Sequence, residues 1–255
     1  MKKLLLFTMA LIFSASMFSQ RSSNDNPRYW NLWQYKVKAD KNQEFMDAAA
    51  KKTARFNGTP ETAMATYRVA TGRNTGTYVR ISGPMKASDF DVDRSAEGKY
   101  WMENVAKYVG QDFGAIRWQQ LNDGTMNFTP GEGSPAKYIE QTYYDVKPGK
   151  VDHFRRFQSR IVENWKKRNV PIRRGLFRLV SGGNTNLFVA ANFFDTYKRE
   201  ANPSTENNWE DDYNELFGRG SWDEDLENFQ SSFENWGVLK ETLQLVPEMT
   251  TGMMK

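Results

Sequence analysis

Apolar positions along the chain switch between a period of two and a period near 3.6, and the switches mark its elements. Trp33, Tyr35 and Val37 alternate with Gln34 and Lys36, which predicts a strand over Asn31 to Val37. Phe45, Ala49, Lys52 or Thr53, and Phe56 then recur at helical spacing. Asp40 and Gln43 stand where a capping box would start that helix, and Asn57-Gly58-Thr59-Pro60 stops it. Met64 to Thr71 and Thr77 to Ser82 read as strands joined by the hairpin Gly72-Arg73-Asn74-Thr75-Gly76, with Gly83-Pro84 as the stop. Tyr100, Trp101, Val105, Tyr108 and Val109 predict a second helix, and Ile116 to Leu121 a closing strand. After a Gly- and Pro-rich stretch, Tyr138 to Val146 is a strand. Phe154, Phe157, Ile161 and Trp165 form a helical stripe, the core face of the next helix. Gly175 to Val180 and Asn186 to Phe194 are strands around Gly182-Gly183-Asn184. Leu226, Phe229, Phe233 and Trp236 predict a last helix, Glu241 to Val246 a last strand, and Thr250 to Lys255 a frayed tail.

The second half repeats the first. The segment Tyr35 to Phe45 (Tyr-Lys-Val-Lys-Ala-Asp-Lys) returns as Tyr144 to Phe154 (Tyr-Asp-Val-Lys-Pro-Gly-Lys), an offset of 109 (144 − 35). Tyr67 to Val79 returns as Phe177 to Val189, an offset of 110 (177 − 67). Two matches in the same order indicate an internal duplication. Each half then reads strand, helix, hairpin, helix, strand, a ferredoxin-like unit whose antiparallel sheet has one face without helices. Covering that face with the sheet of the other half gives an α+β fold: tandem ferredoxin-like repeats with two antiparallel sheets packed as an intrachain α/β barrel. The expected organisation is residues 1–20 signal peptide, 21–28 linker, 29–121 first repeat, 122–137 linker, 138–246 second repeat with an acidic insertion over 202–225, and 247–255 tail.

On these elements the chain resembles the dimeric α/β-barrel superfamily, which includes antibiotic-biosynthesis monooxygenase-type, NIPSNAP-type and stress-responsive barrel domains. The segment Val146-Lys147-Pro148-Gly149-Lys150-Val151-Asp152-His153-Phe154 looks like the strand-turn-helix signature common in those domains; the first repeat departs from it with Ala39-Asp40. The resemblance implies fold rather than chemistry.

Composition changes the picture chiefly at the N-terminus. Met1-Lys2-Lys3 precedes an apolar run from Leu4 to Phe18, as in a secretory signal peptide, too short for a membrane span. Cleavage is expected near Ser19 or Gln20. The run lacks a cysteine for lipid attachment, so the expected location is periplasmic or extracellular. The whole chain has no cysteine, which excludes disulfides, thiolate catalysis and Cys metal sites. The formal charge of +4 drops to +2 without Lys2 and Lys3, too small to suggest nucleic acid. The sequence leaves the oligomeric state open.

His153 is the one histidine. Some members of the resembled superfamily bind haem through a histidine. No partner ligand accompanies His153, so neither a metal nor a cofactor is expected. No nucleophile-elbow motif points to a catalytic triad, and the catalytic residues stay unassigned. Arg68 and Arg178 occupy matched positions before the two hairpins, and Tyr35 and Tyr144 are matched too. They are the candidate ligand-binding residues, the arginines suited to a carboxylate or phosphate. The insertion carries Glu206, Glu210, Asp211, Asp212, Glu215, Asp223, Glu224 and Asp225, opposite a basic first helix with Arg155, Arg156, Arg160, Lys166, Lys167 and Arg168. Trp209, Tyr213 and Leu216 give it an apolar stripe, which reads as a docked lid near Arg178.

Three functions follow. The favoured one is an exported barrel that binds a small apolar or aromatic ligand. The second is a cofactor-independent monooxygenase-like enzyme acting on an aromatic substrate, as the resemblance implies. The third is an envelope protein-interaction module using the acidic insertion.

Overall fold

The computed structural model describes residues 27–129, 135–198 and 208–252. Among them eight strands form: β1 (Tyr29–Val37), β2 (Met64–Thr71), β3 (Tyr78–Met85), β4 (Val109–Met126), β5 (Tyr138–Val146), β6 (Arg173–Ser181), β7 (Leu187–Phe194) and β8 (Phe233–Leu245). Five α-helices accompany them: α1 (Asn42–Phe56), α2 (Ser95–Asn104), α3 (Val151–Lys167), α4 (Trp209–Phe217) and α5 (Ser221–Gln230). The signal peptide expected over 1–20 lies outside the described residues, as do parts of both linkers and of the insertion.

The α+β class holds. The strand order is β4-β1-β3-β2 in the first half and β8-β5-β7-β6 in the second. The expected intrachain barrel forms, and its two four-stranded sheets are joined edge to edge as well as facing each other. β2 pairs with β8 and β4 with β6, so the strands close into one antiparallel barrel. The physical reason lies in the edges. Each four-stranded sheet leaves two rows of unpaired N–H and C=O groups, and joining the sheets satisfies both rows at once.

The matched turns show how different residues reach one backbone shape. Gly149 has φ of 78° and Asp40, in the corresponding place, 60°. In both turns a backbone N–H reaches back three residues, Lys150 to Lys147 at 3.0 Å and Lys41 to Lys38 at 3.2 Å. Asp40 is thus spent on the turn. It does not cap α1, whose N-cap is Lys41 with no side-chain hydrogen bond. Gln43 instead donates to Asp47 at 2.8 Å.

Two further expectations are corrected near the C-terminus. The helical spacing of Leu226, Phe229, Phe233 and Trp236 runs past the true end of α5 at Gln230. Phe233 opens β8, pairs with Val146 and packs on Phe154 and Phe229. Trp236 has a φ of 61° and is 95% exposed. The segment expected to fray at Thr250 is tied down: Thr250 donates its hydroxyl to Val246 O and accepts the Thr66 N–H, while the Thr251 N–H reaches Met64 O.

Helices cover the barrel from outside. Phe45 and Ala49 of α1 pack on Tyr35 and Tyr78. Phe154 of α3 packs on Phe188 and Leu176. The other side of α3, Phe157 and Ile161, meets Tyr213, Trp209 and Trp222 of α4 and α5. Opposite charges line this contact. Asp225 is 1% exposed and pairs with Arg156 at 2.6 Å and Arg160 at 2.5 Å, and it accepts the Tyr213 hydroxyl at 2.7 Å. Lys167 meets the exposed Glu215 at 2.7 Å.

Burial separates these pairs energetically. Asp225→Ala strands a buried phenol and two arginines and is expected to cost about 2–3 kcal/mol in urea unfolding. Glu215→Ala is expected to cost about 0–0.5 kcal/mol. Equal losses would contradict this account of the docked helices.

The fold also sets an alkaline limit. Burial is the first cause that raises the pKa of Tyr35, Tyr67, Tyr143 and Tyr213; Asp112 adds to it at Tyr35, Glu241 at Tyr143 and Asp225 at Tyr213. An unfolded tyrosine ionises near pH 10. These phenols keep their protons while folded, so their contribution is present below about pH 10 and is lost as pH rises further. Lys52, driven down to about 8 by burial and Arg80, acts oppositely below about pH 10.5. The melting temperature is therefore expected to hold or rise from pH 8 to 10. It should then fall above pH 10, as the unfolding free energy loses about 1 kcal/mol per buried tyrosine for each pH unit. Scanning calorimetry across pH 8–12, with absorbance at 295 nm, checks this.

Candidate functional site

Alternation in a closed barrel sends every second side chain inward. The inward rows include Leu32, Tyr67, Val79, Trp118, Ile139, Phe177, Val189, Ala191 and Leu243. Val69, Val79, Leu179 and Leu243 fill the barrel toward its two hairpins. Toward the opposite end the interior stays open as a cavity of about 590 Å³, whose lining includes Pro60, Gly83, Thr129, Pro135 and Thr251 at the rim.

One wall is aromatic. The Phe128 and Phe193 rings stack at 4.5 Å and 8°, and Trp30 meets Phe177 edge-on at 6.0 Å and 87°. Two glycines make room for this wall. A Cβ on Gly83 would come within 2.6 Å of the Trp30 ring, and one on Gly175 within 2.5 Å of Phe177. Any larger residue at either place would push an aromatic side chain into the cavity.

The cavity's polar groups are few. Tyr67 donates to Ala136 O at 3.1 Å, and Tyr143 donates to Gln141 Oε1 at 2.8 Å. Burial raises both phenols far above their usual range; at Tyr67 the nearby Arg173 opposes the shift and Asp195 adds to it. At neutral pH both are donors and not bases. Arg173, the first residue of β6, turns inward, and its guanidinium carbon lies 5.4 Å from the Phe193 ring centre. Its Nε and the Trp30 Nε1 are buried without a hydrogen-bond partner.

The residues singled out from the sequence sit elsewhere. Arg68 is exposed, its guanidinium 5.9 Å from the Tyr78 ring. Arg178 donates to Thr185 O at 2.9 Å and faces Phe188. Tyr35 packs with Trp101 under α1, and Tyr144 with Phe154 and Phe233 under α3. All four lie on the outer face of the barrel and are not brought together, and none lines the cavity. The inward residues are their neighbours: Tyr67, Phe177 and Tyr143. Of the stripe expected to form a lid, Trp209 and Tyr213 pack on α3 and Leu216 is 43% exposed; none of the three lines the cavity. His153 is half-buried in the first turn of α3, away from the cavity lining. Among the described residues no cluster of His, Asp or Glu is placed to hold a metal ion, and no helix is long and apolar enough to cross a membrane.

No sequence family matches the chain, and no curated protein matches it. Solved structures do share its fold. One, described as a putative monooxygenase from Fusobacterium nucleatum subsp. nucleatum ATCC 25586, has a TM-score of 0.54 at 15% identity, covering 86% of this chain and 93% of that one. A second, a putative monooxygenase from Lactobacillus acidophilus NCFM, has a TM-score of 0.53 at 9% identity over 89% of this chain and 96% of that one. A third, described as a putative chlorite dismutase, has a TM-score of 0.50 at 10% identity over 88% and 96%. At these identities the likeness is one of fold: a closed antiparallel barrel of ferredoxin-like units with helices on its outside.

Proposed function

We propose that this chain is an exported barrel that holds a small apolar or aromatic molecule inside its cavity. The observation that carries the reading is the cavity itself. Its size falls in the range of about 300–1,000 Å³ usual for ligand sites, and its walls are mostly apolar and aromatic with a few placed polar groups. The basic start and the apolar run at the N-terminus support export. The matched order of elements in the two halves, with the repeated segments, supports a tandem duplication.

Cofactor-independent oxygenation of an aromatic substrate is the second reading, favoured by the aromatic wall and by the fold shared with two structures described as putative monooxygenases. Such chemistry calls for a group that takes a proton from the substrate. Among the described residues the lining includes no carboxylate and no imidazole, and Tyr67 and Tyr143 hold their protons. Binding is therefore preferred. The reading as an interaction module loses support because Asp212, Glu215 and Asp225 of the insertion are paired with α3.

Methoxynaphthalene, a neutral arene, is expected to bind and quench the fluorescence of Trp30 and Trp118. Ala191→Phe, which places a ring in the cavity, is expected to weaken binding at least about tenfold while a cooperative melt is retained. Undiminished binding in that variant, or no binding to the wild type, sinks the proposal. For His153, protein produced with added haem is expected to show no Soret band that His153→Ala removes; such a band would assign it a ligand role.

A further inference from the structure

We infer that the cavity is built for an aromatic acid, with Arg173 holding the ligand's anionic oxygens at the mouth. The inference deepens the binding reading above and rests on it. The observation is an arginine without an acceptor. Buried guanidinium donors are almost always paired, because an unmet donor keeps its full desolvation cost. Arg173 Nε is buried and unpartnered, and no carboxylate among the described residues forms an ion pair with Arg173.

Its sequence neighbour provides the contrast. Arg174 points outward under α3, where its guanidinium donates to Gln158 Oε1 and faces Trp165 at 5.2 Å. Arg80, also fully buried, donates to Thr53 and Thr66. The Arg174 Nε is unpartnered as well, but both of these guanidinium groups donate to a neutral acceptor that the fold supplies. Arg173 has the Phe193 ring at its face and open cavity beside it. The nearby carboxylate, Asp195, accepts the Lys137 N–H at 2.8 Å.

Among the described residues nothing accepts from the Arg173 Nε, and a ligand in the cavity can supply that acceptor. A planar guanidinium takes a carboxylate through two parallel hydrogen bonds, and the free Trp30 Nε1 is a further donor on the same cavity. Arg173 starts its strand, near the mouth, so the charged end of the ligand stays close to water. The apolar body then points toward Trp118, Ile139, Val189 and Ala191. Among the described residues no carboxylate lines the cavity to repel it.

The test compares 2-naphthoate with the neutral, equally shaped 2-naphthamide by fluorescence titration and calorimetry at pH 7.5. The acid is expected to bind about tenfold or more tightly than the amide, as one charge-assisted pair implies. Arg173→Met is expected to erase that preference by weakening the acid far more than the amide, and a retained cooperative melt shows that the variant is folded. Arg173→Lys is expected to restore part of it. Ala191→Phe is expected to weaken both probes. If the acid and the amide bind equally, or Arg173→Met leaves acid binding unchanged, the role of Arg173 is overturned while the cavity reading stands. If neither probe binds the wild type, or Ala191→Phe changes neither, both fail together.

Discussion

Everything else in this protein depends on two seams of backbone hydrogen bonds, β2 to β8 and β4 to β6. A four-stranded sheet with helices on one face has an inside only by default, since its other face meets whatever covers it. Once the two sheets are joined at both edges, the inside is defined by topology. Every strand then has one inward and one outward row, and a shift of one residue exchanges them. The seams thus decide that Tyr67 faces the cavity and Arg68 the exterior. The same phase puts Arg173 inside and Arg174 beneath α3.

That phase is what the sequence concealed. The positions of β2 and β5 are legible to the residue, because alternating apolar positions end at clear breakers, Gly72 and Pro148. The stripe of α3 is legible for the same reason. The facing of each strand is not, because both faces are buried. The inner face packs barrel core and the outer face packs helices, so both rows are rich in aromatic residues. Matched residues between the halves drew attention to Tyr35, Tyr144, Arg68 and Arg178, all on the outer row, while the equally matched Tyr67 and Phe177 face inward. Arg173 has no counterpart in the first half, where Ala63 stands at the same offset. A search guided by symmetry passes over it.

Other departures have local causes. Phe229 and Phe233 satisfy a helical period, yet they touch edge-on at 4.7 Å across the end of α5. Tertiary packing can preserve an apparent stripe across a helix-to-strand transition. Asp40 looked like a cap because Asp is a good one, but the turn preceding α1 needed a left-handed residue. Asp accepts that conformation better than most residues do. The apparent tail is held because Thr250 and Thr251 supply partners to the start of β2, whose neighbour β8 has already ended.

The difference between the two halves follows from the width of one helix's apolar surface. α1 presents Phe45 and Ala49 to the barrel, flanked by the half-buried Ala48 and Ala50, and asks for little further cover. α3 buries Phe154 against the wall but carries Phe157, Ile161 and Trp165 around to its outer side. Left bare, that surface would be a contiguous apolar patch of the kind that drives association. α4 and α5 cover it, and the basic residues of α3 that flank the stripe give the acidic residues of the insertion their partners. The extra helices are accordingly placed by the needs of α3, on the outer wall. The mouth is left to short segments that bring Pro60, Thr129, Pro135 and Thr251 to its rim. Among the described residues neither α4 nor α5 contributes to the cavity lining, so the docking of these helices and the shape of the cavity rest on different sets of contacts.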